Sequence, residues 1–172
     1  MKASYANHVW TYDFVMDSTV DGRRLKCLTI TDEFLRLGLA IEVGRSMTAN
    51  DVKRALSMLF AIHGRPENIR SDNGPEFIET ALRQWLAEQR VNTYYIEPGS
   101  PWQNGYGESF NPIFRDDCLN RWTFYSVKEA RLVVTRWLEK YNDYRPHGSL
   151  KGLTPNLFLE KWRQEQKTES VA

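Results

Sequence analysis

The first candidate strand of the chain is the run WTYDFVM, residues 10–16, in which one carboxylate, Asp13, interrupts apolar and aromatic residues. An ionised carboxylate in such surroundings costs several kcal/mol unless a hydrogen-bonding partner or a metal ion compensates it. Two more acidic residues stand in distinctive contexts. Asp72 begins the run DNGPEF and Glu108 lies in the run GESFN, with 35 residues between the two acids. The strand around Asp13 is therefore the starting point for both the fold and a candidate site.

Three carboxylates in such contexts predict a cation site formed by Asp13, Asp72 and Glu108. Hard oxygen ligands favour Mg²⁺ or Mn²⁺, and two such ions about 3.5–4 Å apart can clamp the attacking and leaving oxygens of a phosphodiester. We therefore expect metal-dependent phosphoryl transfer on nucleic acid. Metal-free interpretations stay open for each acid taken singly, because a strand Asp is often solvent-facing and Asp-Asn-Gly is by itself a turn signal.

The order of predicted elements indicates an α/β fold. Residues 8–16, 24–32 and 35–43 are predicted as three antiparallel strands, with a hairpin turn at Asp21-Gly22. A capping box from Thr48 to Asp51 begins a helix that ends before Gly64. A strand over 69–71 leads to Asp72, and a helix over 75–89 and a strand over 92–96 follow. This order predicts a five-stranded mixed sheet, three antiparallel strands then two parallel ones, flanked by helices. In the third strand the apolar residues alternate cleanly, which predicts one apolar face made of Leu35, Leu37, Leu39, Ile41 and Val43. In the second helix the side chains expected to face inward are Ile78, Ala81, Leu82 and Trp85.

The C-terminal third is predicted to be helical. A capping box from Ser126 to Glu129 begins a helix whose apolar stripe, running to about Asn142, suits either core packing or a dimer surface. Thr154-Pro155 begins a last helix with Leu157, Phe158 and Trp162 on its apolar side. We expect an N-terminal extension (1–7), a catalytic core (8–125), a C-terminal helical part of the same domain (126–163) and a polar, frayed tail (164–172).

Composition excludes several classes of protein. The 172 residues, 41% of them hydrophobic, suffice for one core. No apolar run approaches the ~20 residues of a membrane span and no secretory signal is present, so we expect a cytoplasmic protein without membrane contact. The two cysteines, Cys27 and Cys118, form no Cys-x-x-Cys, and structural zinc is not expected. A net charge of +1 requires any DNA binding to use a local basic face.

Together with their flanks, the three acids resemble the DDE catalytic core of retroviral integrases and bacterial insertion-sequence transposases, specifically transposases made from two overlapping reading frames. The resemblance runs through the segments NHVWTYD (7–13), LTITD (28–32), DNGPEF (72–77), ESFN (108–111), YNDYRPH (141–147) and LTP (153–155). It implies a ribonuclease H-like fold in which Asp13, Asp72 and Glu108 bind two Mg²⁺ or Mn²⁺ ions. It also implies cleavage and rejoining of DNA strands, with Asn73 and Gly74 shaping the turn behind Asp72.

The resemblance further implies DNA as a partner, both as element ends and as target. A basic residue seven positions after the glutamate often contacts DNA in the family, and here that position is Arg115. If residues 104–115 are helical, four polar residues share one face, and three of them are our candidate DNA contacts: Asn104, Asn111 and Arg115. We expect a homo-oligomer. Only six residues precede Asn7, so a helix-turn-helix segment that recognises element ends is expected to be encoded upstream.

Pro112 conflicts with a regular helix around Glu108. It has no N–H for the Glu108 carbonyl, and a proline inside a helix typically costs about 3 kcal/mol or a kink. Either the helix starts near Gly105 and kinks, or Asn111 is its N-cap and Pro112 its first residue. We expect the second arrangement without metal, which would leave Glu108 on the preceding loop.

Two other functions remain open on sequence alone. A ribonuclease H-like nuclease would use the same acids without rejoining strands. A truncated or non-catalytic relic of a transposase would only bind DNA or oligomerise. An assay for strand transfer separates the first from a transposase, and the genomic sequence upstream separates the second.

Overall fold

A computed structural model describes residues 2–71, 80–95 and 107–169 of the chain. The strands are β1 (Val9–Ser18), β2 (Arg24–Asp32), β3 (Leu37–Gly44), β4 (Asn68–Ser71) and β5 (Asn92–Tyr95). The helices are α1 (Ala49–His63), α2 (Thr80–Glu88), α3 (Gly107–Asp117), α4 (Val127–Tyr144) and α5 (Pro155–Glu169). Two 3-10 turns, Leu119–Arg121 and Gly148–Leu150, follow α3 and α4.

The five strands form one sheet in the order β3-β2-β1-β4-β5, which places β1 at the centre. β1 pairs antiparallel with β2 and β2 antiparallel with β3, whereas β4 runs parallel to both β1 and β5. The turn at Asp21-Gly22 closes the first hairpin, since Gly22 has a φ of 77° and its N–H donates to the Thr19 carbonyl. The predicted mixed sheet is confirmed.

The two faces of the sheet carry different helices. Trp10 and Tyr12 of β1 pack with Leu28 and Ile30 of β2 against α1 and α2. On the other face, α3 and α4 pack against a second cluster that includes Val15, Leu25, Cys27 and Val43. Because side chains alternate along a strand, Asp13 faces the side of α3 and α4.

The alternation predicted for the third strand is broken by an irregularity. The pairing of β2 with β3 shifts between Ile30 and Thr31, which pair with Ala40 and Gly38 respectively. The intervening Leu39 contacts the cluster under α1, while Ile41 and Val43 belong to the cluster under α3 and α4. A single inward face for all the odd-numbered residues of this strand was therefore wrong, because an extra residue in one strand reverses the side-chain alternation.

Helix α1 follows the prediction and α2 follows it in part. Both hydrogen bonds of the capping box at Thr48 are present, and α1 ends at Gly64, whose φ is 86°. In α2 the buried side chains are Leu82 and Leu86, whereas Ala81 is exposed, contrary to expectation. The apolar stripe is rotated toward Leu86, which is one turn after Leu82. Residues 75–79, which include the predicted inward Ile78, lie outside the described residues.

The last two helices also differ from prediction in detail. Ser126 accepts the N–H of Glu129, but the Glu129 carboxylate accepts the N–H of Tyr125 instead of that of Ser126. The apolar stripe of α4 is core, with Ala130, Val134 and Tyr141 buried. On α5, Phe158 and Trp162 pack against Phe34, whereas Leu157 is 51% exposed and so does not belong to the apolar side. α5 continues to Glu169, past the predicted start of a frayed tail.

Helix α4 covers the edge strand β3 and thereby fixes the layer that carries α3. The Asn142 amide donates to the Gly38 carbonyl at 2.8 Å and accepts the Gly38 N–H at 3.0 Å. A Cβ at position 38 would lie 2.4 Å from Leu138 Cδ1, so glycine permits this close approach. At the C-terminal end of α3, Asp117 accepts a hydrogen bond from Arg145 at 2.6 Å. Among the described residues, each helix is too short or too polar to span a bilayer.

Candidate active site

Asp13 lies at the middle of the central strand and is held from two sides. Its Oδ1 accepts the N–H of Phe14 at 2.7 Å, and its Oδ2 accepts a hydrogen bond from Asn111 Nδ2 at 2.9 Å. The side chain is half-buried on the α3 face of the sheet. These contacts offset part of the cost of placing a carboxylate in an apolar strand, and they orient its oxygens.

Thr29 completes this arrangement and was missed by the sequence analysis. It is the β2 residue directly opposite Asp13. Its Oγ1 lies 3.0 Å from Asn111 Oδ1 and 3.2 Å from the Asp13 carbonyl oxygen. Asn111 therefore contacts Asp13 through its amide nitrogen and Thr29 through its amide oxygen. The signal was present in the sequence, because a hairpin turning at Asp21-Gly22 sets residues 13 and 29 opposite each other.

The position of Asn111 is set by the buried side of α3. Phe110 and Phe114, one turn apart, are 1% and 0% exposed and pack against Trp137 with ring centroids 5.7 and 5.0 Å away. Asn111 and Arg115 are likewise one turn apart and share a neighbouring face. Arg115 Nη2 donates to the Met16 carbonyl at the far end of β1. Two predicted site residues, Asn111 and Arg115, are thus both anchored on the strand that carries Asp13.

The expected start of this helix at Pro112 is wrong. α3 begins at Gly107 and runs through Pro112, so Asn111 is a residue of the helix and not its N-cap. Pro112 is exposed, so its ring does not displace the core, and the burial of Phe110 and Phe114 on either side offsets the lost hydrogen bond. The backbone of Glu108 is therefore helical. Its side chain lies outside the described residues.

Several predicted site residues fall where the structure is not described. Asp72, Asn73, Gly74 and Asn104 lie outside residues 2–71, 80–95 and 107–169. β4 ends at Ser71, the residue before Asp72. Within those ranges no group of three or more His, Cys, Asp or Glu side chains is placed to hold a metal ion. Asp13 is the described member of the predicted ligand set, and its carboxylate oxygens are the hard ligands that Mg²⁺ and Mn²⁺ prefer.

A second polar cluster, which the sequence did not predict, is buried where β1 pairs with β4. Glu33 Oε1 accepts hydrogen bonds from Arg70 Nη1 at 2.7 Å and from Thr11 Oγ1 at 2.5 Å. The adjacent Asp32 is 0% exposed, and its carboxylate accepts the N–H groups of Asn7 and Leu35. Burial raises the pKa of Asp32 above its usual value, although these hydrogen bonds oppose the shift. A local pattern does not reveal Glu33 and Arg70, because 36 residues separate them.

Known proteins resemble the chain in sequence and in fold. The chain is 39% identical over 171 residues to an uncharacterized 39.2 kDa protein of insertion element IS476 of Xanthomonas euvesicatoria, covering 99% of this chain and 49% of the relative. It is 43% identical over 157 residues to an uncharacterized 31.7 kDa protein of insertion element IS407 of Burkholderia multivorans, covering 91% and 57%. The chain thus spans about half the length of the curated relatives it matches.

Among solved structures, the magnesium complex of the HTLV-2 integrase catalytic core domain in its dimeric form superposes with a TM-score of 0.62. The identity is 17%, and the match covers 90% of this chain and 96% of that one. This likeness concerns the fold, and with the strand order it confirms the ribonuclease H-like architecture. The family described as Integrase core domain matches residues 3–101, and a second family of the same description matches residues 89–155. The chain therefore belongs to the integrase core domain family.

Proposed function

We propose that the chain is the catalytic domain of an insertion-sequence transposase, a polynucleotidyl transferase of the DDE type. It would cut a phosphodiester at the end of a mobile element and join the exposed 3′-hydroxyl to another DNA strand. One observation carries the proposal. Asn111 orients Asp13 on β1, and the neighbouring strand β4 ends one residue before Asp72. This arrangement occurs in a chain of the integrase core family whose relatives belong to insertion elements.

The pairing of the strands supports Asp72 as the second acid of the site. Thr11 of β1 pairs with Arg70 of β4 in a parallel ladder, and each of these residues stands two positions before one of the proposed ligands. Continuation of the same register would set Asp72 beside Asp13. Helix α3 supports Glu108 as the third acid, because Glu108 precedes Asn111 by three residues, and such residues are neighbours on a helix.

Carboxylate oxygens from Asp13, Asp72 and Glu108 fit two Mg²⁺ or Mn²⁺ ions, and an integrase core of similar fold was solved with magnesium. Bound divalent ions would supply stabilisation of the charge that develops at the reacting phosphodiester. Asn111, itself held by Thr29, restricts the orientation of the Asp13 carboxylate, so its oxygens need little rearrangement before reaction. Asn73 and Gly74 would shape the turn behind Asp72.

Arg115, Asn111 and Asn104 are proposed to contact DNA. Asn104 lies outside the described residues, and Asn111 already contacts Asp13 and Thr29, so the contact that the structure supports best is Arg115. One of its nitrogens is anchored on the Met16 carbonyl, and the side chain remains partly exposed at the edge of the Asp13 face. An anchored guanidinium loses less side-chain freedom when its other N–H groups bind a phosphate.

The DNA partners would be element ends and target. We further propose a homo-oligomer working in the cytoplasm and a helix-turn-helix segment encoded upstream.

Binding of divalent cations tests the proposed site without knowledge of the DNA sequence. Mg²⁺ or Mn²⁺ at 100 times its Kd should stabilise the protein by about 2.7 kcal/mol, which for this size raises Tm by roughly 5–10 °C. Asp13→Asn should lose most of that rise, because it removes a charged ligand. The matched control is Asp17→Asn on the same strand, since the Asp17 carboxylate also accepts the N–H of the next residue at 2.7 Å. Equal cation-induced shifts in Asp13→Asn and in the wild type, measured by thermal denaturation, would remove Asp13 from the site.

A further inference from the structure

The feature that the proposed chemistry does not use is the buried ion pair between Glu33 and Arg70. The two side chains are 5% and 9% exposed, and the Arg70 Nη1 to Glu33 Oε1 distance is 2.7 Å. Thr11, 2% exposed, donates its hydroxyl hydrogen to the same Glu33 oxygen. One carboxylate oxygen thus joins β1 to β4 across the interior of the molecule.

The location of this pair relates it to the proposed ligands. Thr11 and Arg70 are register partners, and theirs is the pair closest to Asp13 among the three that join β1 to β4. Side chains two residues apart on a strand share a face, so Thr11 lies on the same face as Asp13. Arg70 likewise stands two positions before Asp72 in the sequence. The ion pair and Thr11 therefore connect β1 and β4 two residues before Asp13 on one strand and next to Ser71, the last residue of the other.

Glu33 is itself held firmly by the main chain. Its N–H donates to the Val9 carbonyl at 3.0 Å, at the start of β1. The preceding Asp32 accepts the main-chain N–H groups of Asn7 at 2.8 Å and Leu35 at 2.9 Å. The Glu33 carboxylate therefore extends from an immobilised segment, and it can resist a displacement of β4 relative to β1.

Stability alone does not account for a charged pair at this place. The desolvation of two buried charges offsets most of their attraction, and apolar residues of similar volume often stabilise a fold as well or better. An ion pair with defined donor and acceptor atoms does fix relative position. At the proposed site the two strands would need such a constraint, because two carboxylates that approach one another repel when no cation lies between them.

We propose that Glu33 and Arg70 are positioning residues that hold β1 and β4 at the spacing at which Asp13 and Asp72 accept divalent cations. This inference rests on the proposed function. The pair makes no contact with the cations and opposes the separation of the strands that carboxylate repulsion would cause. Its removal raises the cation concentration that the site needs, even where the fold is retained.

The test is the cation dependence of Tm in the double variant Glu33→Leu/Arg70→Met, which removes both charges and keeps an apolar core of similar volume. Its Tm without cation should stay close to that of the wild type. The Mg²⁺ concentration needed for a given Tm rise should increase about 10- to 100-fold, the range typical of residues that orient metal ligands. The control is Asp21→Asn/Arg23→Gln, which removes the exposed ion pair at the hairpin turn and should leave that concentration unchanged.

The outcomes separate this inference from the proposed function. If the wild type shows no Tm rise with Mg²⁺ or Mn²⁺, the proposed site is wrong and the inference is wrong with it. If the wild type responds and the double variant responds at the same concentration, the inference alone is overturned, because the pair then only fills the core. If the double variant does not fold, Glu33→Gln decides, because it keeps an acceptor for Thr11 but replaces the charge-assisted bond to Arg70 with a weaker neutral one. Glu33→Gln should then need a higher Mg²⁺ concentration than the wild type for the same Tm rise, and an equal concentration overturns the inference there too.

Discussion

Asp13→Asn is expected to lower the rate of DNA strand cleavage by about a thousandfold or more. Stabilisation of transition-state charge by bound divalent ions is worth several kcal/mol, and each 1.36 kcal/mol is tenfold in rate. The substitution keeps the shape of the side chain, and the new amide oxygen can still accept the hydrogen bond from Asn111 Nδ2. The loss should therefore come from the missing charge and not from unfolding.

The measurement is cleavage of a labelled duplex that carries the ends of the mobile element proposed to encode this chain, in the presence of Mg²⁺ or Mn²⁺. Asp17→Asn, on the same strand, should cleave at close to the wild-type rate. A folded Asp13→Asn protein that keeps more than a tenth of the wild-type rate would show that Asp13 does not act in the reaction.

Phe114→Ala is expected to destabilise the protein by about 3–5 kcal/mol, the usual range for a fully buried aromatic side chain. Phe114 is 0% exposed and packs on Trp137 at a centroid distance of 5.0 Å. Phe110 and Phe114 pack α3 against the core, and α3 carries both Asn111 and Glu108. Amide hydrogen exchange along α3 should accelerate as well, because the helix loses one of its aromatic contacts with α4.

Urea denaturation of Phe114→Ala beside Leu132→Ala gives the comparison. Leu132 lies on α4 and is 57% exposed, so its truncation should change stability by no more than about 0.5 kcal/mol. A loss below about 1 kcal/mol for Phe114→Ala would show that its burial does not hold the helix, contrary to the usual cost of such a cavity.

Local chemistry was sufficient to predict most of the sheet. The hairpin at Asp21-Gly22 needs a residue that tolerates positive φ, and Gly22 supplies it at 77°. The capping box at Thr48 and the terminating Gly64 set the bounds of α1 through hydrogen bonds between near neighbours. Turn and capping signals of this kind separate the strands in the sequence, so the number and order of the strands could be predicted. Asp13 stood out because a carboxylate in an apolar strand needs a partner, and the structure supplies Asn111.

The remaining features depend on contacts between distant residues. The local sequence Asn111-Pro112 favours the start of a helix. The helix instead runs through Pro112, because Phe110 before it and Phe114 after it are both buried. The shift in pairing at Leu39 has no local signal, because an extra residue in a strand changes no composition. The Glu33 and Arg70 pair forms only once β4 has paired with β1. These are cases in which tertiary packing prevails over local preference.

The central claim is that the chain joins DNA strands with the help of divalent cations, and strand transfer measures this most directly. A labelled oligonucleotide that ends in the recessed 3′-hydroxyl of the element end is incubated with target DNA, wild-type protein and Mg²⁺ or Mn²⁺. The proposed function predicts labelled products longer than the substrate, which disappear with a chelator and with Asp13→Asn. Labelled products that are only shorter than the substrate would identify a hydrolytic nuclease and contradict the claim, as would joining that persists in the chelator.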